Sequence, residues 1–312
     1  MTEYAYVTVL YGNNIYLTGA LVLGYSLART KTEFDRVILV TPDVSELYRG
    51  FLKKIYTHVI SIEYIEADPS LFIEGTRFRE VFTKLSCLGL IQYQKIILLD
   101  IDMIVAKNID HVFKLSAPAA TLKHFNLAYG EKVPSSMICE NNRLVGKPCS
   151  GRQPEAGLSP CRGKPCSGRQ PEAGLSPCRG SINAGFMLLE PSLEEWNDIQ
   201  EDILSEHTYR FKYPEQEYIS LRYCHKWTSI TFNYNFQFGL TKRVKKLHYK
   251  ADDIYVIHYS SSYKPWNLLL TNEINREEKS FSERHKKYYD LWMGAYNAVK
   301  EIFKNQNINL PF

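Results

Sequence analysis

After Lys95, the stretch Ile96-Ile97-Leu98-Leu99-Asp100-Ile101-Asp102-Met103-Ile104-Val105 is an apolar run broken only by two carboxylates one residue apart. A strand with no polar face belongs in a sheet covered on both sides, which points to a parallel α/β arrangement. Alternate strand residues share a face, so Asp100 and Asp102 are expected to point the same way. Two like charges side by side are costly unless a cation lies between them. The strand end therefore reads as a trap for a divalent metal, and ligands of open α/β sheets bind at such strand ends.

The rest of the chain alternates in the same sense. Strand-like runs at 4–11, 36–41, 58–64 and 95–100 are separated by helical patterns at about 17–29, 44–55 and 80–92. A strand at 183–189, helices at 193–206 and 215–223, and short strands near 227–232 and 254–258 follow. Such alternation predicts a doubly wound, mostly parallel central sheet flanked by helices. Spaced aromatics (Phe281, Tyr288, Tyr289, Trp292, Tyr296, Phe303) predict one long amphipathic helix over 274–304, within a C-terminal segment 271–312 that serves packing or a homodimer.

Residues 146–162 read GKPCSGRQPEAGLSPCR, and 163–179 repeat them without a change. The repeat is rich in Gly, Pro and Ser and has no apolar period, so it reads as a disordered loop inserted into a 1–270 catalytic domain. Its four cysteines (Cys149, Cys161, Cys166, Cys178) are separated by eleven, four and eleven residues, unlike short zinc knuckles. With six basic and two acidic residues, it carries the whole formal charge of +4. The neutral remainder argues against a nucleic-acid partner. Cys87, Cys139 and Cys224 read as reduced small hydrophobes. The chain opens on a strand-like run rather than a leader, and no apolar stretch approaches the roughly 18–20 residues of a membrane span. A cytoplasmic protein is expected.

Six motifs occur in order. They are Tyr11-Gly12-Asn13-Asn14-Ile15-Tyr16 with Gly19 to Leu27; Phe82-Thr83-Lys84-Leu85; Asp100-Ile101-Asp102; Asn183-Ala184-Gly185; Tyr213-Pro214-Glu215-Gln216-Glu217; and Val256-Ile257-His258 running on to Lys264-Pro265-Trp266-Asn267. In these the chain resembles glycosyltransferase family 8, its glycogenin and galactinol-synthase-like members above all. The resemblance covers about 4–145 and 181–268. It implies a Rossmann-like nucleotide-sugar transferase fold of the A type and retaining transfer of a hexose from a UDP-sugar with Mn²⁺, or alternatively Mg²⁺. The donors implied are UDP-glucose, UDP-galactose or UDP-N-acetylglucosamine.

Carried over by residue, the resemblance makes Asp100, Asp102 and His258 the metal ligands. Leu10, Asn13, Tyr16 and the Ile101 backbone become uridine and ribose contacts. Lys264 and the backbone near Ser261 become the diphosphate clamp. Arg77, with Arg79 as its rival, and Lys84 are the basic pair before the carboxylates. Asn183, Ala184, Glu215 and Gln216 form the pocket for the donor hexose. Retention needs either a carboxylate nucleophile, for which Glu215 is the candidate, or front-face attack with Glu215 and Gln216 orienting the donor; the second is preferred. Charge growing on the leaving diphosphate is what a metal and Lys264 would stabilise.

Three departures qualify the resemblance. Gly12 replaces a hydroxyl residue, Ser261 a glycine, and Lys212 an acidic residue. The stretch Phe238-Gly239-Leu240-Thr241-Lys242 lacks the tyrosine that would be self-glucosylated, leaving Tyr234 and Tyr249 as nearby alternatives. The leading expectation is transfer to a separate acceptor hydroxyl on a sugar, polyol or protein. A self-glucosylating primer and a catalytically idle UDP-sugar-binding scaffold are the alternatives. The repeat is expected to lie beside the acceptor cleft.

Overall fold

The structure is a computed structural model that describes residues 2–73, 80–123, 127–138, 181–207, 210–237, 251–269 and 276–311. Arg77, Arg79, Cys139, the 146–179 repeat, 238–242 and Tyr249 lie outside the described residues. The chain divides into two compact units. Unit 1 comprises Met1–Ile62, Leu99–His111 and Asn233–Phe312; unit 2 comprises Glu63–Leu98 and Val112–Phe232.

Unit 1 begins with β1 (Tyr4–Leu10), α1 (Tyr16–Arg29), β2 (Asp35–Val40), α2 (Glu46–Leu52) and β3 (His58–Ser61). The three strands lie in the order β3-β2-β1 and are parallel, with Leu10 opposite Val40 and Val40 opposite Ser61. Their β-branched and aromatic residues suit a pleated, buried surface. Helix α1 is buried over most of its length, from Leu17 to Leu27, so it is a core helix rather than an amphipathic one. Ser45 starts α2 by accepting a hydrogen bond from Tyr48 N through its hydroxyl.

Among the described residues, the C-terminal part of unit 1 holds two helices, α5 (Arg276–Arg284) and α6 (Lys286–Lys304), where a single one is expected. The helix stops at His285, whose φ of −114° and ψ of 23° leave the α region. The break lets Phe281 pack on Tyr263 (ring centroids 5.3 Å apart) while Tyr289 meets Tyr259 (6.0 Å). On α6, Trp292, Tyr296, Val299 and Phe303 form the buried stripe, and Val299 and Phe303 join the core made by α1, β2 and α2.

Unit 2 contains β4 (Lys95–Leu99, whose last residue passes into unit 1), β6 (Ala119–Leu122), β7 (Ile182–Leu189) and β8 (Thr228–Ser229), in the order β4-β7-β6-β8. Strands β6 and β7 are antiparallel, β6 and β8 parallel. Helices α3 (Leu193–Ile203) and α4 (Pro214–Arg222) follow β7, and Ser192 caps α3 through Glu195 N. The α-helix expected at 80–92 is instead a 3-10 segment, Val81–Gly89. Its anchors Phe82, Leu85 and Leu88 are fully buried at a spacing of three, which lines up on one face of a three-residue turn. Among the described residues no helix is long and apolar enough to cross a membrane.

Candidate active site

In unit 1 the chain turns immediately after β4. Strand pairing stops at Leu99, so Asp100, Ile101 and Asp102 lie on a turn and not on the strand expected from the sequence. The three residues after the turn, β5 (Met103–Val105), pair antiparallel with β9 (Val256–His258). That pairing sets Met103 opposite His258, and Tyr259 N donates to the Asp102 carbonyl at 2.8 Å. The ribbon thus delivers an imidazole from far down the chain to the carboxylate pair.

His258 Nε2 lies 3.2 Å from Asp102 Oδ1 and 3.9 Å from Asp100 Oδ2. One ligand atom from each of the three residues lies within 4.8 Å of the others. His258 Nδ1 is 2.8 Å from Asn235 Oδ1, an oxygen that also accepts from Gln237 Nε2. An amide oxygen only accepts, so the Asn235 contact holds the proton on Nδ1 and turns Nε2 toward the carboxylates. Two carboxylates and an imidazole nitrogen thus converge, a set that could hold a cation. Two carboxylate oxygens and one imidazole fit Mn²⁺ or Mg²⁺, with the nitrogen favouring Mn²⁺. Burial raises the Asp102 carboxyl pKa most strongly, but His258 and Lys264 together outweigh it and hold it below the usual carboxylate range.

Lys264 closes the same cluster. Its Nζ donates to Asp102 Oδ2 at 2.5 Å and to the Tyr259 carbonyl at 2.7 Å. Leu10 is buried at the end of β1. Asn13 Oδ1 accepts from Ser45 N at 2.9 Å. Tyr16 is 40% exposed and meets Trp266 edge-on, with ring centroids 4.9 Å apart. Trp266 is buried and packs on Trp292. A Cβ on Gly19 would lie 2.7 Å from the Trp266 ring and 2.9 Å from the Ile101 carbonyl, so this glycine permits the close approach of α1 to the metal turn. Ser261 Oγ donates to the Tyr263 carbonyl at 3.1 Å.

Unit 2 assembles a second set. Lys84 Nζ lies 2.6 Å from Glu215 Oε1 and donates to the Ala184 carbonyl at 3.3 Å. Ala184 N donates to Gln216 Oε1 at 3.3 Å, and Gln216 Nε2 to Ser181 Oγ at 3.3 Å. Asn183 Oδ1 accepts from Gly185 N. The 3-10 segment, β7 and the first turn of α4 thus bring together five expected residues: Lys84, Asn183, Ala184, Glu215 and Gln216. The sequence reading missed Asn235. Its only signal was the alternation Phe232-Asn233-Tyr234-Asn235-Phe236, which marks one polar face within an aromatic run.

The chain is a glycosyltransferase, built on a nucleotide-sugar transferase fold of the A type. The profile of Glycosyl transferase family 8 matches residues 7–269, and the chain belongs to that family. It is 58% identical over 315 residues to the uncharacterized protein R707 of Acanthamoeba polyphaga mimivirus, covering 100% of both chains. It is 24% identical over 311 residues to glycogenin-1 of Mus musculus, covering 96% of this chain and 77% of the relative. Among solved structures it resembles the galactosyltransferase LgtC in complex with donor and acceptor sugar analogs. That match has a TM-score of 0.53 at 14% identity and covers 94% of this chain and 95% of the other.

Proposed function

We propose that this chain transfers a hexose, with retention, from a UDP-sugar to a hydroxyl on a separate acceptor, in a Mn²⁺-dependent reaction. The observation that carries the reading is the Asn235–His258 contact, which aims Nε2 at the two carboxylates of the turn. Asp100, Asp102 and His258 hold the cation, which when bound neutralises charge on the departing diphosphate. Lys264 supplies a second positive charge beside it. Leu10, Asn13, Tyr16 and the Ile101 backbone take the uridine and ribose, and the backbone near Ser261 takes phosphate. In unit 2, Asn183, Ala184 and Gln216 hold the hexose, and Glu215, with its charge offset by Lys84, orients it for front-face attack. Arg77 completes the basic set.

A separate acceptor is favoured over self-glucosylation by the surroundings of Tyr234. That residue is buried, its ring stacks on Tyr255 at 4.6 Å, and its hydroxyl lies 2.6 Å from His111 Nε2. Incubation with UDP-glucose, UDP-galactose or UDP-N-acetylglucosamine and Mn²⁺ tests the reading, with UDP release, product anomer by NMR and intact mass as readouts. Release of UDP from one donor, an α product from the α donor and an unchanged protein mass are expected. An added hexose mass would favour the primer. No turnover with any donor would favour an idle binding scaffold.

A further inference from the structure

Helices α5 and α6 follow residue 269, where the family match ends, yet they hold the turn that carries Lys264. The Tyr289 hydroxyl donates to the Tyr263 carbonyl at 2.6 Å, the same oxygen that accepts from Ser261 Oγ. At the other end of the turn, the Tyr259 hydroxyl donates to the Tyr288 carbonyl at 2.6 Å. Asn267 Nδ2 donates to Glu278 Oε1 at 2.7 Å, and the Tyr263 hydroxyl donates to Glu277 Oε2 at 3.0 Å. Two successive residues of α6 therefore grip positions 259 and 263. Lys264 returns across the turn to the Tyr259 carbonyl and to Asp102.

We propose that Tyr289 is a positioning residue that fixes the Tyr263–Lys264 peptide and thereby aims the Lys264 ammonium at the diphosphate. Tyr289 is 2% exposed and Tyr259 fully buried. A buried phenol needs a partner for its hydroxyl, and here it donates to the carbonyl directly before Lys264, with the Ser261 hydroxyl also against it. Without it the carbonyl keeps the longer serine contact, and the turn gains freedom to rotate the lysine away. Electrostatic stabilisation of a leaving group depends on charges already in place, so a looser turn weakens binding of the diphosphate without removing any group that touches it. The inference rests on the reading of Lys264 as a diphosphate contact.

Calorimetric titration of UDP in the presence of Mn²⁺ tests it in four proteins: wild type, Tyr289→Phe, Lys264→Met and the double variant. Loss of one such hydrogen bond predicts about 3- to 10-fold weaker UDP binding in Tyr289→Phe. In the Lys264→Met background the same change is expected to shift affinity less than about twofold, because the group it positions is gone. Equal weakening in both backgrounds, or a lower Tm with unchanged UDP affinity, would reduce Tyr289 to a packing residue and overturn the inference. Wild type and Lys264→Met binding UDP equally well would overturn the reading of Lys264 itself. Should Tyr289→Phe fail to fold, Tyr259→Phe releases the other end of the turn and is expected to show the same dependence on Lys264.

Discussion

The ammonium of Lys84 lies 2.6 Å from Glu215 Oε1, and both side chains are nearly buried, at 13% and 11% exposure. Removing one member of a buried ion pair typically costs about 3–5 kcal/mol. Lys84→Met is therefore expected to lower stability by about that amount and transfer by about 100-fold or more. Adding Glu215→Gln is expected to recover most of the stability and none of the activity. Urea unfolding and initial rates check this. Equal stability of the single and double variants would remove the pair from the account.

Gly19 faces the Trp266 ring and the Ile101 carbonyl with no room for a Cβ. Gly19→Ala has to push α1 away from the turn that holds Asp100 and Asp102. A loss of about 1–3 kcal/mol is expected, as for other overpacked cores. Weaker Mn²⁺ binding, read by electron paramagnetic resonance, is expected with it. Wild-type Tm and Mn²⁺ affinity together would show that the helix and the turn are not coupled.

Asn235 sets which nitrogen of His258 carries the proton. Asn235→Leu removes that acceptor, and Mn²⁺ affinity is expected to fall about 10- to 100-fold, as when other outer partners of metal-bound histidines are lost. Asn235→Asp keeps an acceptor and is expected to retain most of the affinity. Titration of Mn²⁺ into the three proteins distinguishes the variants, and equal affinities for Leu and Asp would contradict the assigned tautomer.

Glu195 and Arg222 join α3 to α4 by two hydrogen bonds of 2.7 and 3.1 Å, and the Arg222 side chain is 1% exposed. Burial raises the Glu195 carboxyl pKa, but the Arg222 hydrogen bond and charge outweigh it and leave it below its ordinary value. A carboxyl lowered on folding contributes stability above its unfolded pKa, roughly 4.3, and loses it as the pH falls through the folded value. Glu195→Gln is thus expected to cost about 3 kcal/mol at pH 7, and the gap to wild type is expected to close below about pH 4. A gap that does not change with pH would assign the loss to shape rather than charge.

The strand that ends at Leu99, just before Asp100 and Asp102, was legible because an uninterrupted apolar run has few places to go. Its partner strands were legible to within a few residues for the same reason. Strand β6 was not, since Ala119 and Ala120 carry little strand preference and gain their place only from pairing with β7 and β8. The turn at 100–102 was missed because apolar residues resume at Met103; only the pairing of β5 with β9 reveals that the chain has reversed. His258, Lys84 and Glu215 were singled out through ordered motifs rather than periodicity. The roles of Asn235 and Tyr289 rest on contacts between residues far apart in sequence, which no local pattern encodes.

UDP release from the preferred UDP-hexose, measured with Mn²⁺ and after chelation, in wild type and in Asp102→Ala, tests the metal centre most directly. Turnover in wild type that is abolished by chelation and reduced by about 1,000-fold or more in Asp102→Ala is the expected result. Turnover that survives Asp102→Ala, or that is indifferent to chelation, would contradict it.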